Sequence, residues 1–294
     1  MKMKKKRPAN THRLEQSCLY KLSSPRLLVK HLYTTQRAMN ALSDTSHVRY
    51  RYWVEKKKKG GDRPISAPFD ELKRVQSRLA YILHGIKLPD YVFAPVKGRS
   101  YVDNGKVHRN QRAFCLLDIK DFYPSCTEAK IVGFFLNTMK CDLDIAVSLA
   151  RLVCDKGSLP QGSPTSPILA YLAYSEMWDA IHAHAIASGN TFSLYADDLT
   201  ISGDRILGST IWKIKKEVYK HGLHINSNKE QWVFNRPASV TGTITGCGKV
   251  RLPNKQHKEL AKAKAEFSRP GGNRKKKGNV LRGRTAQAQQ VLKA

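Results

Sequence analysis

The chain has 294 residues, enough for a well-packed core in one large or two modest domains. Fifty-two lysines and arginines stand against 23 aspartates and glutamates, a formal net charge of +29 spread along the whole length. That balance suits a polyanionic partner and argues against a small molecule as the main one; no apolar run reaches the roughly 18 residues of a membrane span, so no membrane role is expected.

Residues 1–13 read as a basic tail without the apolar stretch of a signal peptide, so the expected location is the cytoplasm. Ser24-Pro25 opens a helix over Arg26–Met39. Val48–Glu55 alternates as a strand, KKKKGGDR (56–63) reads as a basic hairpin turn, and Ile65–Pro68 returns. From Phe69 or Asp70 a helix follows, with Leu72, Val75, Leu79, Ile82 and Leu83 as its apolar stripe. Residues 94–111 are polar and turn-rich. AFCLLDIKDFYPSC (113–126) is a buried strand carrying Asp118 near its end, an expensive place for an unpaired carboxylate. Glu128–Asn137 and Leu143–Cys154 have helical spacing, and LPQGSPTSP (159–167) is a loop. Ser166-Pro167 then starts a helix, as cap and first-turn proline, that runs to Gly189. The six cysteines show no C-x-x-C spacing and are expected as buried or inert thiols. His182 and His184 point in different directions on a helix, which argues against a zinc pair.

SLYADDLTISG (193–203) reads as a tight hairpin with Asp197-Asp198 as its central residues. Ala196 then pairs with Leu199, Leu194 with Ile201 and Phe192 with Gly203, leaving Tyr195, Ser193, Thr200 and Ser202 on the other face. Two adjacent carboxylates at a tip repel unless a cation neutralises them. Ser209 opens a helix with Ile211, Ile214 and Val218 inward, ending at Gly222. A hairpin over 239–250, a helix near 255–268, a break at Pro270-Gly271-Gly272 and a last helix from about Val280 complete the chain. Strand, helix, hairpin, helix, strand is the split βαββαβ pattern.

The order Asp118, Gln161-Gly162, Tyr195-Ala196-Asp197-Asp198 resembles the central palm motifs of reverse transcriptases. YADD preceded by LPQGSPTSP is most similar to the bacterial retron type, over roughly residues 45–253. Two further stretches resemble retron motifs: Asn104-Gly105-Lys106-Val107-His108, with glycine where the family carries alanine, and Val240-Thr241-Gly242. The resemblance implies an α+β right-hand polymerase whose palm is an antiparallel sheet of that split βαββαβ pattern. Its fingers would be 14–112, its palm 113–253 (128–165 partly returning to the fingers), and its short basic thumb 254–294.

It further implies two Mg2+ ions (Mn2+ as substitute) held by Asp118, Asp197, Asp198 and the Ile119 carbonyl. Asp121 is a decoy, because Asp118 ends the apolar strand and Tyr123 falls five positions later, where the family places the ring that excludes a 2′-hydroxyl. Arg63, Lys73, Gln161, Gly162 and Lys229 match nucleotide-binding positions. Asn104, His108, Val240, Thr241 and Gly242, with Lys275 and Lys276, are expected on nucleic acid. For retrons the implied partners are deoxynucleotides, a structured non-coding RNA primed at a guanosine 2′-hydroxyl, its branched DNA product, and an effector protein in anti-phage defence. A separate host ribonuclease H is also expected, since no room for one follows the thumb. Rival readings are a group II intron or diversity-generating enzyme, from which VTG and the lack of a maturase extension distinguish it, and a non-catalytic RNA-binding scaffold.

Overall fold

The computed structural model describes residues 11–56 and 61–293. Most of the expected basic tail and the lysines 57–60 of the expected hairpin turn lie outside the described residues. The first elements are α1 (Pro25–Leu32), α2 (Gln36–Ser43), β1 (Tyr50–Lys56), β2 (Asp62–Pro68), α3 (Asp70–Leu83), β3 (Val92–Ala94) and α4 (Tyr101–Lys106). There follow β4 (Ala113–Asp118), α5 (Phe122–Ser125), α6 (Glu128–Gly133), α7 (Leu143–Val153), α8 (Ser166–Leu172) and α9 (Ser175–Ala187). The chain continues through β5 (Thr191–Tyr195), β6 (Asp198–Gly203), α10 (Gly208–Lys220), β7 (Gln231–Phe234), β8 (Ala238–Val240), β9 (Thr243–Gly246) and β10 (Lys249–Arg251). It closes with α11 (Asn254–Ser268) and α12 (Arg274–Leu292). Among the described residues no helix is long and apolar enough to cross a membrane. Two compact units emerge: 1–89 with 120–178 and 221–223, and 90–119 with 179–220 and 224–294.

In the first unit α3 buries the expected stripe of Leu72, Val75, Leu79, Ile82 and Leu83. The helix expected over Arg26–Met39 is two: Tyr33 turns left-handed at φ 56, and the Thr35 hydroxyl caps α2 by accepting from the Ala38 N–H. Buried Gln76 organises this unit. Its amide donates to Tyr50 Oη (2.9 Å) and to the Leu152 carbonyl (2.8 Å), and accepts from Ser163 Oγ (2.8 Å). One side chain therefore ties β1, α3 and α7 to the 159–167 loop, with all its polar groups satisfied. Ser166 is not the cap it was expected to be: its hydroxyl donates to the Pro160 carbonyl inside the loop, and Thr165 precedes the helix. The expected helix from there to Gly189 is broken at Ala173-Tyr174, where the Tyr174 N–H bonds three residues back rather than four.

The second unit is built on a five-stranded sheet of order β3-β5-β6-β4-β7. β4, β5, β6 and β7, with α8–α9 and α10 between them, follow the split βαββαβ connectivity. The sheet is mixed rather than antiparallel, because β3 joins β5 in parallel. Residues 90–112 belong to this unit accordingly, and not with the segment before them. Interior β4 is bonded on both edges, to β6 and β7, which allows Phe114 and Cys115 to be fully buried. β8, β9 and β10 form a meander whose first turn, Thr241-Gly242, has φ 44 and 98. α11 and α12 pair through Arg284 and Glu259, and Ala288 and Val291 of α12 pack with Val102 and Leu252. α12 starts at Arg274 under an Asn273 cap, not at Val280. Lys275 and Lys276 thus lie in its exposed first turn.

α4 was expected as loop. Ser100 and Asp103 cap it reciprocally, a box obscured by the surrounding turn residues. It lies so close to β9 that a Cβ on Gly105 would collide with Thr243 Oγ1 and come within 2.9 Å of Thr245 Oγ1. Both threonines are fully buried and hydrogen-bonded to each other, so neither can swing away. Gly105→Ala is expected to lower unfolding stability by about 1–2 kcal/mol, overpacking outweighing the gain in helix propensity. Thermal denaturation should show the loss, and Thr243→Ala in the same chain should recover part of it.

Candidate active site

The acids meet where three strands of one sheet end. Asp118 is the last residue of β4 and pairs in register with Asp198, the first of β6. The hairpin is shifted from the expected pairing: Tyr195 faces Asp198, Leu194 faces Leu199 and Phe192 faces Ile201. Ala196 and Asp197 are the turn, with Ala196 at φ 57. The summed register moves by two, so each side chain keeps its face while Asp198 moves from the tip into the strand. The face of Ser193, Thr200 and Ser202 is buried as well, so the hairpin does not present one solvated side as its alternation suggests. The Ile119 N–H donates to the Asp197 carbonyl (3.1 Å), joining the end of β4 to the turn.

Lys229, in a single 3-10 turn before β7, donates to Asp118 Oδ1 at 2.6 Å. The Asn226 N–H donates to the Asp118 carbonyl (2.8 Å), which brings that turn to the strand end. Burial, then the charges of Asp197 and Asp118, push the Asp198 carboxyl up to about 7, with Lys229 pulling the other way. The hydrogen bond to Asp118, supported by the neighbouring acids, holds Lys229 above the usual lysine range. Among the described residues no three His, Cys, Asp or Glu side chains are gathered closely enough to form a ready-made cation site. The ammonium occupies one Asp118 oxygen, and the charges of Asp197 and Asp118 bear on Asp198 as mutual repulsion. Three carboxylates and the Ile119 carbonyl are nonetheless hard oxygen donors in a charge-starved setting, the donor set a divalent cation of the magnesium type uses.

The raised Asp198 value has a consequence for stability. A folded-state value above the unfolded one favours the fold below the unfolded value, and that contribution is lost as pH rises through about 7. In chelator, Asp198→Asn is expected to raise unfolding stability at pH 8 by about 1–3 kcal/mol, and by little near pH 4. Thermal melts at the two pH values check it; equal shifts at both would contradict the charge origin.

Asp121 is exposed and left-handed at φ 44, unlike buried Asp118. The remaining nucleotide-binding candidates lie in the first unit. Gln161 and Gly162 sit in the loop held by Gln76, and the Ser66 N–H donates to the Gln161 carbonyl (2.8 Å). Gly162 has φ 131, and a Cβ there would approach the Ser66 carbonyl to 2.9 Å, so this position demands glycine. Tyr123 is half-buried beside Phe122 on α5. Arg63 is exposed on β2 opposite Glu55, and Lys73 is exposed on α3.

The candidates for nucleic acid divide. Thr241 and Gly242 form a partly exposed turn, and Lys275 and Lys276 are exposed. Asn104, His108 and Val240 are fully buried, so the direct contacts expected of them are corrected. Asn104 donates to Thr241 Oγ1 (3.0 Å), Val240 packs on Phe114, and His108 lies between Ser193 and Ser202. Burial pushes the His108 imidazole down to about 3, so it is neutral. Four cysteines are buried, and burial pushes the thiols of Cys115 and Cys126 up to about 12; Cys18 and Cys247 are exposed. His182 stacks on Tyr91, and His184 faces Glu217. Sequence reasoning missed Gln76 and buried Arg49, which donates to the carbonyls of Leu42, Arg151 and Cys154. Only a polar residue interrupting an apolar stripe could have flagged the first.

Residues 54–267 match the family model described as reverse transcriptase (RNA-dependent DNA polymerase). The chain is 31% identical over 270 residues to the retron Ec86 reverse transcriptase of Escherichia coli, covering 88% of this chain and 82% of that protein. It is 29% identical over 202 residues to the retron Se72 reverse transcriptase of Salmonella heidelberg (strain 579083-10), covering 67% and 53%. It is 28% identical over 207 residues to the retron Mx65 reverse transcriptase of Myxococcus xanthus, covering 62% and 48%. The matched region thus spans about half the length of the last two relatives.

Proposed function

The chain belongs to the reverse transcriptase (RNA-dependent DNA polymerase) family and is of the retron type, and on that premise we propose that it copies a structured non-coding RNA into DNA by magnesium-dependent nucleotidyl transfer. The observation that carries this reading is the register pairing of Asp118 with Asp198 beside Asp197, which brings two segments distant in sequence to one sheet end. In the right-hand layout the β4–β7 sheet is the palm, β1, β2 and their helices the fingers, and α11–α12 a short thumb. Residues 128–165 return in part to the fingers.

Asp118, Asp197, Asp198 and the Ile119 carbonyl would hold two Mg2+ ions. When bound, the pair supplies electrostatic stabilisation of the attacking and leaving oxygens. Lys229, charged and already bonded to Asp118, neutralises triphosphate and can hand a proton to departing pyrophosphate. Arg63 and Lys73 contribute cations to the triphosphate. Gln161 and Gly162 border the nascent base pair, where the lack of a Cβ lets backbone approach. The Tyr123 ring selects against a 2′-hydroxyl by collision. Thr241 and Gly242 meet the primer end, and Lys275 and Lys276 track phosphates.

As in retrons generally, the product is branched RNA-linked single-stranded DNA. It is made in the cytoplasm with trimming by a separate ribonuclease H, and it acts with an effector protein against phage. Primer extension with magnesium, comparing the chain with its Asp197→Ala plus Asp198→Ala variant, tests the reading. Equal incorporation by both would remove the catalytic assignment, and RNA binding without synthesis by either would favour a scaffold. Sequencing nucleic acid that co-purifies with the protein tests the retron product, for which an RNA–DNA branch is the expected signature.

A further inference from the structure

Ser193 and Ser202 lie on the two strands that flank the turn acid Asp197, each four residues from the acid nearest it, and both are fully buried. A buried hydroxyl is costly unless it is bonded. Their common partner is His108, whose Nδ1 lies 2.6 Å from Ser202 Oγ and whose Nε2 lies 2.7 Å from Ser193 Oγ. A neutral imidazole has one donor and one acceptor, and each hydroxyl can supply the complement, so both ring nitrogens are satisfied in either tautomer. Asp198, Thr200 and Ser202 alternate on one face, with Tyr195 and Ser193 beside them. The ring therefore spans β5 and β6 on the face that bears Asp198.

The backbone holding the ring belongs to neither strand. His108 follows α4, and α4 is seated by Gly105 against Thr243 and Thr245, by Asn104 on Thr241 and by Val102 in the apolar cluster with α12. We propose that His108 is a positioning residue for nucleotidyl transfer: anchored through α4, it bridges Ser193 and Ser202 and fixes the spacing of the two strands whose turn presents Asp197 and Asp198. This rests on the polymerase reading above. It also explains the resemblance of 104–108 to a functional motif without any contact to nucleic acid.

The test uses the full chain, a fluorescein-labelled oligo(dT) primer on poly(rA), and dTTP with magnesium. His108→Ala is expected to lower kcat roughly 30- to 100-fold, the scale of a misplaced catalytic group. KM for dTTP and the duplex Kd by anisotropy should stay within about twofold, as no substrate contact is lost. Hydrogen exchange over residues 193–202 should quicken. His108→Gln, whose carboxamide also offers a donor and an acceptor side by side, should recover most of the lost rate. A loss of duplex affinity matching the loss of rate would overturn the proposal in favour of direct RNA contact. An unchanged kcat in folded His108→Ala would overturn it outright. Should His108→Ala not fold, Ser193→Ala and Ser202→Ala each delete one bond without a large cavity; a kcat loss of severalfold supports the bridge, and none overturns it. Absence of incorporation by the unaltered chain would sink the polymerase reading alone. Exchange over 193–202 then decides, with unchanged rates in the serine variants removing the bridge.

Discussion

Incorporation by the Asp197→Ala plus Asp198→Ala variant is expected to fall at least about 1,000-fold, equivalent to roughly 4 kcal/mol of transition-state stabilisation. Two of the three carboxylates disappear, and a lone Asp118 paired with Lys229 has no charge to spare for a cation. The fold should survive. The tie between strand end and turn is a backbone bond, from the Ile119 N–H to the Asp197 carbonyl, and alanine keeps it. Burial and repulsion at Asp198 are relieved, so the melting temperature should hold or rise. Affinity for a labelled primer–template should also hold, since charges that repel phosphate have been removed. Asp121→Asn is the informative contrast: its side chain is exposed and it follows the strand that Asp118 ends, and its rate should stay near that of the unaltered chain. Primer extension of the three proteins side by side is the measurement. A strong loss in the Asp121 variant with none in the double variant would reverse the assignment of the acids.

Nucleic-acid affinity is expected to drop by about three to five orders of magnitude between 50 and 200 mM salt, if some six to ten phosphates are neutralised. The net charge of +29 makes a contact number of that order reasonable. α12 offers a local test. Its first turn carries Arg274, Lys275, Lys276 and Lys277, cations at the helix end where the backbone dipole disfavours them. Lys277 spends its charge on the carbonyls of Arg269 and Gly271, whereas Lys275 and Lys276 are exposed. A phosphate there would relieve both the dipole and the mutual repulsion. Replacing Lys275 and Lys276 by Gln should reduce the slope of log K against log salt by close to two, with little change in the preference among sequences. Anisotropy titrations at four or five salt concentrations give the slope. An unchanged slope would take these lysines off the binding surface.

The parts of this molecule that were legible in sequence are those where burial and local chemistry agree. The α3 stripe, the β4 run into Asp118 and the helix of Ile211, Ile214 and Val218 each follow from period and apolarity, and each is buried as expected. The faces of the YADD hairpin were readable, but its register was not. Asp-Asp is an ordinary turn pair, whereas the left-handed Ala196 goes with bonds to Ala94 and Ile119 that no local rule supplies. Residues 104–108 misled for a related reason. A glycine, a lysine and a histidine in a polar stretch look solvated, and only tertiary packing of β9 against Gly105 and of two serines against His108 buries the first and the last. Gln76 showed only as a polar break in an apolar stripe, and its role stayed hidden because its three partners lie 26 to 87 residues away. Apolar periodicity within one element was readable, while contacts between elements were not, and the local caps at Ser100 and Asn273 were hidden among turn residues.

Ala196 bears on how the acids can move. An alanine at φ 57 sits about 1–2 kcal/mol above its relaxed backbone, and a glycine would not. Its N–H reaches the Ala94 carbonyl on one side, and the next carbonyl receives the Ile119 N–H on the other. The tip is stitched to its neighbours along both flanks, so it cannot flex as a free loop does. The carboxylates of Asp197 and Asp198 therefore stand on a fixed footing, and on the polymerase reading proposed above it is the duplex that would be brought to them.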